Sequence, residues 1–268
     1  MSTPSPVFMQ TKTERRDKTY GALEAFPEFI GQFTPPASDF DPRGAWKQTY
    51  AIRLFAEDSG TLGFLEIERR PAADGAALTI ATRLAHVNGF QEQNAKLQCA
   101  ADVLGSLRSI QVESVSGGLD GRPVAAAKLA IGGQVRGGFI EWTRAGGKRS
   151  APAAPPLVAN WALFDAVQRL TPDSNKFYEF TLLDDGDLVK PAQRLLYIGQ
   201  TTVQATGGAS LSLHCWEQTG HGSLPTHYWV DAKGRLLFAI AGQKAFLYDP
   251  GARNKARGRS RGTGRKKA

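Results

Sequence analysis

At 268 residues, with 41% hydrophobic and 22% charged residues, the chain has the composition of a folded globule and is too apolar for a disordered one. The formal net charge of +8 equals the eight basic residues between Arg253 and Lys267, a stretch without an acidic residue, so residues 1–250 are neutral overall. The basic balance therefore describes a tail and gives no sign of a basic folded surface, and two cysteines are too few for a disulfide framework.

Residues 1–43 read as a polar arm rich in Pro, Ser and Thr. Its apolar patch, Leu23, Phe26, Phe29 and Ile30, has the spacing of a short helical turn against the body. No apolar signal core is seen, and Arg15-Arg16 is not followed by an apolar run. A cytoplasmic location is expected, or the envelope or periplasm if an export signal has been removed. No window approaches the roughly 20 apolar residues of a membrane-spanning helix.

From Trp46 the apolar pattern changes to period two, the mark of half-buried strands. Tyr50, Ile52 and Leu54 alternate first, then Leu65 and Ile67, then Leu78, Ile80, Thr82 and Leu84. Asp58-Ser59-Gly60 and Pro71 to Gly75 mark turns, so an antiparallel meander is expected. Leu97, Cys99 and Ala101 share a face, and Ile110 and Val112 continue the rhythm. Gly117-Gly118 and Asp120-Gly121 break the chain. Ala125, Ala127, Leu129 and Ile131 then alternate up to Gly132-Gly133, read as a two-residue hairpin turn. Ala145 to Pro156 reads as a crossover loop.

One helix is expected from about Pro156 to Leu170, begun by Pro155-Pro156. Leu157, Trp161 and Phe164 follow helical spacing, and Val158, Ala162, Ala166 and Val167 make it apolar on most sides, as in a buried helix. Strands resume at Tyr178, Phe180 and Leu182, with Asp184-Asp185-Gly186-Asp187 as a connecting turn rather than a calcium loop. Leu195 to Ile198 and Leu211 to Cys215 follow. The hairpin from His227 to Ala241, turning at Asp231 to Gly234, closes the domain. The expected fold is mainly β: a curved antiparallel sheet or open β-barrel with one central buried helix, residues 44–250 forming a single domain and residues 251–268 a disordered basic tail.

Three of the four histidines, His214, His221 and His227, lie close together with Glu217. A hairpin centred near Gly220 sets His214 and His227 opposite each other and His221 at the tip. Six residues of strand span about 20 Å, too far for one metal ion, and no metal site is expected. Trp216 shares a face with His214 by alternation, and Trp229 and Arg235 lie on the neighbouring strands. Aromatic rings beside histidine and arginine can form a platform for sugar rings or other flat ligands. His214, Trp216, His227, Trp229 and Arg235 are therefore the candidate binding residues. Cys99 and Cys215 sit in apolar alternating stretches and are expected as buried thiols, their pairing undecided. No cofactor motif and no nucleophile motif is present. The tail, Arg253 to Lys267, could contact nucleic acid or an anionic surface through charge alone, since it lacks aromatic residues for base stacking.

Strands, one buried helix and more strands, with Pro156-Leu157-Val158 through Leu170 as the helix and Tyr228-Trp229-Val230-Asp231-Ala232-Lys233-Gly234-Arg235-Leu236-Leu237 as the closing hairpin, resemble the half-barrel of bacterial lipoprotein-carrier proteins and of related envelope domains of unknown function. The resemblance covers about residues 46–248 in order of elements. It implies a curved sheet cupping a helix, with an apolar ligand cavity between them. The chain departs from those relatives in its basic tail and in showing no export signal. The leading functional expectation is a non-enzymatic binding domain for an apolar or amphipathic small ligand, glycans included. The alternatives are a carbohydrate-active or small-molecule enzyme using a histidine of residues 211–240, and an interaction protein held on polyanions by its tail. Oligomeric state is not legible.

Overall fold

The computed structural model describes residue 23 and residues 27–54, 60–86, 88–144, 146–173 and 175–259. Among the described residues, the alternating segments form one sheet of fifteen strands. In chain order these are β1 (Trp46–Leu54), β2 (Gly63–Ala72), β3 (Gly75–His86), β4 (Gly89–Ala100), β5 (Leu107–Gly117), β6 (Pro123–Arg136), β7 (Phe139–Arg144), β8 (Gly147–Pro152), β9 (Leu157–Ala159), β10 (Phe177–Asp184), β11 (Leu188–Gln204), β12 (Ser210–Gly220), β13 (Ser223–Asp231), β14 (Leu236–Ala241) and β15 (Lys244–Tyr248). The spatial order is β8 back to β1, then β15 back to β9. Every pairing is antiparallel except that of β9 with β10. The first and last strands therefore meet in the middle of the sheet, Tyr50 opposite Tyr248.

This order dictates curvature. The two edges, β8 and β9, are consecutive in sequence, joined only by residues 153–156. In a flat sheet, fourteen strand spacings would set those edges about 67 Å apart. The link from Pro152 to Leu157 reaches at most about 18 Å. The sheet must curl until its edges approach, and β8 and β9 do so without pairing, leaving an open barrel.

Inside the curl lies a helix, α2 (Asn160–Arg169), with Trp161 through Gln168 all buried. The expected helix is thus shorter at its start. Leu157–Ala159 is extended and pairs with Thr181–Leu183, because its backbone groups find a partner in β10. Pro155-Pro156 is a cis bond ahead of that strand and does not open the helix. Phe164 packs edge-on against Tyr50, Tyr228 and Phe246, at 5.6, 5.7 and 5.4 Å between ring centroids. One helical ring thereby touches β1, β13 and β15.

The helix is fixed at its C-terminal end. Gln168 Oε1 accepts hydrogen bonds from Gln48 Nε2 (2.9 Å) and from the backbone N–H of Leu236 (3.1 Å). Asp165, only 2% exposed, lies between Arg69 (2.8 Å) and Arg169 (2.9 Å). Burial raises its pKa, and the two guanidinium groups oppose that shift. Beside them, burial pushes the Cys99 thiol up to about 12. Cys99 packs in this inner core and Cys215 in an outer one, and both are free buried thiols.

Three further boundaries differ from the sequence expectation. The chain runs straight through Gly132-Gly133 and turns at Gly137-Gly138, where φ is +56° and +80°. A Cβ at Gly133 would stand 2.8 Å from Ile110, so that glycine serves close packing and not a turn. Half of the expected crossover, Gly147–Pro152, is strand β8 paired with β7, and the closing hairpin is followed by one more strand, β15. Of the N-terminal arm, α1 (Pro27–Gln32) and Phe33 cover the outer face of β11–β15, with Leu23, Ile30 and Phe33 buried against Trp229, Phe238 and Leu247. The first part of the stretch expected as a tail is helical. Ala252–Arg259 is helix α3, with Ala252 buried on Ala51 and Phe64, and Arg253 bonded to Glu66. The remainder, residues 260–268, lies outside the described residues, as do Phe26 and the turn at Asp58-Ser59.

Removing one member of a buried ion pair strands the others in low dielectric. Asp165→Ala should lower the unfolding free energy by about 3–5 kcal/mol, read as a fall in the urea midpoint at unchanged slope.

Candidate functional site

The structure does not gather the five candidate residues. His214 pairs with Val230, and His227 pairs with Glu217. The hairpin centre is His221-Gly222, past the expected Gly220, so an odd register offset places the two histidines on opposite faces. His214 and Trp216 face inward as alternation predicts; Trp216 is in the inner core and His214 Nδ1 lies 3.1 Å from the Tyr197 hydroxyl. His227 lies on the outer face, 3.7 Å from Glu217 and stacked on Trp229, which is fully buried there. Burial lowers the pKa of both histidines, Asp231 opposing the shift at His214 and Glu217 at His227. Arg235 is buried and ties the strand to the N-terminal segment. Its Nη2 donates to the Ser38 carbonyl and hydroxyl, both at 3.1 Å, and its guanidinium lies 4.9 Å from the Phe40 ring centroid. Trp216, Trp229 and Arg235 thus act in packing, and no common face unites the set.

The sheet's own concavity supplies a different site. A cleft of about 580 Å³ opens between the inner face of the sheet and the N-terminal end of α2. Its size falls within the roughly 300–1,000 Å³ of small-molecule sites. The rows of the sheet explain why the interior stays open there. Ile67, Ile80, Ala95, Val112 and Ile131 sit side by side across β2–β6 and are buried. One row further, Leu65, Thr82, Gln93, Ser114 and Leu129 are neighbours across the same strands, and all five line the cleft. Polar groups on an inward face cost free energy unless they are paired or meet water or a ligand. Opposite this row stand Trp161 and Phe164 of α2, with Tyr228 and Phe246 of the sheet. The polar floor between them is satisfied internally. The Tyr228 hydroxyl donates to Gln218 Oε1 (3.3 Å), Gln218 Nε2 to Gln193 Oε1 (3.2 Å), and Gln193 Nε2 to the His221 carbonyl (2.9 Å).

The mouth is shaped by the β10–β11 turn, Asp184-Asp185-Gly186-Asp187, which is a strand connection as expected. Gly186 has φ +86°, and a Cβ there would stand 3.0 Å from Val112, so the turn rests on the inner face of β5. Trp142 Nε1 donates to the Gly186 carbonyl (3.0 Å), which spans the gap from β7. Asn160, the first residue of α2, donates through Nδ2 to Asp184 (3.1 Å) and Asp185 (3.2 Å), and Lys190 pairs with Asp184 (2.7 Å). Desolvation, then the Asp184 charge, raises the Asp185 pKa, while Lys244 and Asn160 act against it. The mouth therefore offers carboxylates and lysines within one rim. Among the described residues no three His, Cys, Asp or Glu side chains come together as a metal site.

Sequence reading missed the polar row, yet its signal was there. Thr82 sits in register with Leu78 and Ile80, Gln93 with Leu97 and Cys99, and Ser114 with Ile110 and Val112. Three polar residues on apolar registers of consecutive strands mark a face that does not close into core.

No protein-family model matches the chain, and no curated protein is significantly similar to it in sequence. Among solved structures, the fold is similar to that of a β-barrel-like protein of the domain-of-unknown-function family DUF1849 from Brucella abortus. The TM-score is 0.51 at 13% identity, over 77% of this chain and 95% of that one. A DUF1089 family protein from Pseudomonas aeruginosa aligns over 79% of this chain and 96% of its own, with a TM-score of 0.38 at 13% identity. The class of protein is thus a mainly β, barrel-like domain whose single large sheet is curved and not closed. At such identities the likeness is one of fold alone.

The raised pKa of Asp185 has a definite sign. A carboxyl with folded pKa above its unfolded value favours the fold when protonated and loses that contribution as pH rises through the folded pKa. Asp185→Asn, at φ +48° in a region asparagine tolerates, should raise the melting temperature at pH 7. The gain should vanish as pH falls to about 4, as thermal melts across that range will register.

Proposed function

We propose that the domain binds an amphipathic small ligand in the sheet–helix cleft and catalyses no reaction there. The observation that carries this reading is the pairing of the two walls. One wall is the Thr82, Gln93 and Ser114 row flanked by Leu65 and Leu129; the other is the aromatic group of Trp161, Phe164, Tyr228 and Phe246. Amides and hydroxyls beside aromatic faces suit a ligand with an uncharged hydrogen-bonding part and an apolar part. The resemblance to lipoprotein-carrier half-barrels points to the same cavity. The alternative of an enzyme using a histidine of residues 211–240 has less support, because His214 and His227 lie on opposite faces of the sheet and neither lines the cleft. Polyanion attachment through Arg253 to Lys267 keeps fewer free charges than the sequence offers, since Arg253 pairs with Glu66 and Lys255 with Asp249.

The test uses a nonionic dodecyl amphiphile kept below its critical micelle concentration. Saturable binding should appear in calorimetry, with a melting temperature that climbs with amphiphile concentration. Thr82→Trp places an indole in the cleft and should weaken binding at least about tenfold while the protein melts within a few degrees of wild type. Non-saturable binding, or equal affinity in the variant, removes the cleft as the site.

A further inference from the structure

Two helices lie on the outer face of the sheet and leave a groove between them. α1 covers β11–β15, and α3 packs on β1 and β2. The β1–β15 seam runs between the two helices, and a groove of about 620 Å³ lies there. It shares no lining residue with the sheet–helix cleft. Phe29, Phe33, Pro35 and Pro36 form one wall, and Tyr248 and Lys255 stand on the other.

Three charged side chains line the groove: Arg53, Asp249 and Lys255. Asp249 is fully engaged. Its Oδ2 pairs with Lys255 Nζ (2.7 Å), and its Oδ1 accepts the backbone N–H of Gly251 (2.9 Å). Arg53 is left over. It is half-buried, and its guanidinium lies 5.5 Å from the Phe29 ring centroid. That contact holds the side chain in place and neutralises no charge. Among the described residues Arg53 forms no side-chain hydrogen bond and no ion pair, and its Nε is shielded from water. A guanidinium that is neither paired nor fully hydrated carries a desolvation cost, which an anion offsets. The groove thus holds one uncompensated positive charge beside aromatic and proline rings.

We propose that this groove binds a small organic anion, a carboxylate joined to a flat apolar group. The Nη groups of Arg53 take the carboxylate through their planar fork, and the rings of Phe29, Phe33, Pro35, Pro36 and Tyr248 take the apolar part. One positive charge suits a monoanion. A ligand there touches segments from both ends of the chain.

The test uses the full-length protein with 2-naphthoate and its uncharged counterpart 2-naphthamide. Calorimetry should show saturable naphthoate binding at least about tenfold tighter than that of the amide. On titration, the backbone amide resonances of Phe29, Gln32 and Arg53 should shift. Arg53→Met keeps an apolar stem against Phe29 and should weaken naphthoate binding at least about tenfold, with melting within a few degrees of wild type. Thr82→Trp, which obstructs the cleft, should leave naphthoate affinity unchanged. The resonance map needs no variant and decides the site even if Arg53→Met destabilises the fold. Absent or non-saturable binding, equal affinity for acid and amide, undiminished affinity in Arg53→Met, loss of binding in Thr82→Trp, or shifts centred on Gln93 and Ser114 would each overturn the proposal.

Discussion

The four-residue link between β8 and β9 governs the architecture. It joins the two outermost strands of a fifteen-stranded sheet, and no flat or gently twisted sheet satisfies it. Curl follows from connectivity, and the concave interior follows from curl. The helix that fills this interior begins within a residue of β9, so the element that closes the path also delivers the plug. The gap that remains is bridged by side chains and not by a ladder, chiefly the Trp142 hydrogen bond to the β10–β11 turn.

A short plug in a long curl leaves one end open. α2 has ten residues, about 15 Å of helix, and its C-terminal end is anchored by Gln168 and Asp165. Its N-terminal end stops level with Asp184 and Asp185. Above that level the inward side chains of β3, β4 and β5 change from aliphatic to polar. The cleft is the part of the barrel that the helix does not reach, and the residue types there agree with that position. Buried charge lies at the anchored end and exchangeable polar surface at the open end.

Much of this was legible before the structure. Period-two alternation gave the strands, and the run from Leu157 to Val167 gave the helix, because both signals depend on local spacing. Boundaries failed where a local signal had two physical uses. Gly132-Gly133 has the composition of a turn, but Gly133 answers to the crowding of Ile110 and Trp142 across the sheet. Leu157–Ala159 has helical spacing but finds a strand partner in β10 more than twenty residues later. The expected facing of His214 and His227 differs because the hairpin turns later than Gly220, and an odd shift in register reverses the face of a side chain. Arg235 was noticed for its charge, while it also holds Ser38 and Phe40 of the segment first read as a polar arm.

The meeting of β1 and β15 at the middle of the sheet has a consequence for how the chain acquires its shape. As the polypeptide emerges from its N-terminus, β1 through β8 can assemble by successive hairpins, each strand beside the one just made. The far side of β1 then waits for the last strand of all. During synthesis the growing half-sheet exposes both an unpaired central edge and an apolar concave face. The seam at Tyr50 and Tyr248 is the final stitch, so truncation near the C-terminus opens the sheet at its centre, not at its margin.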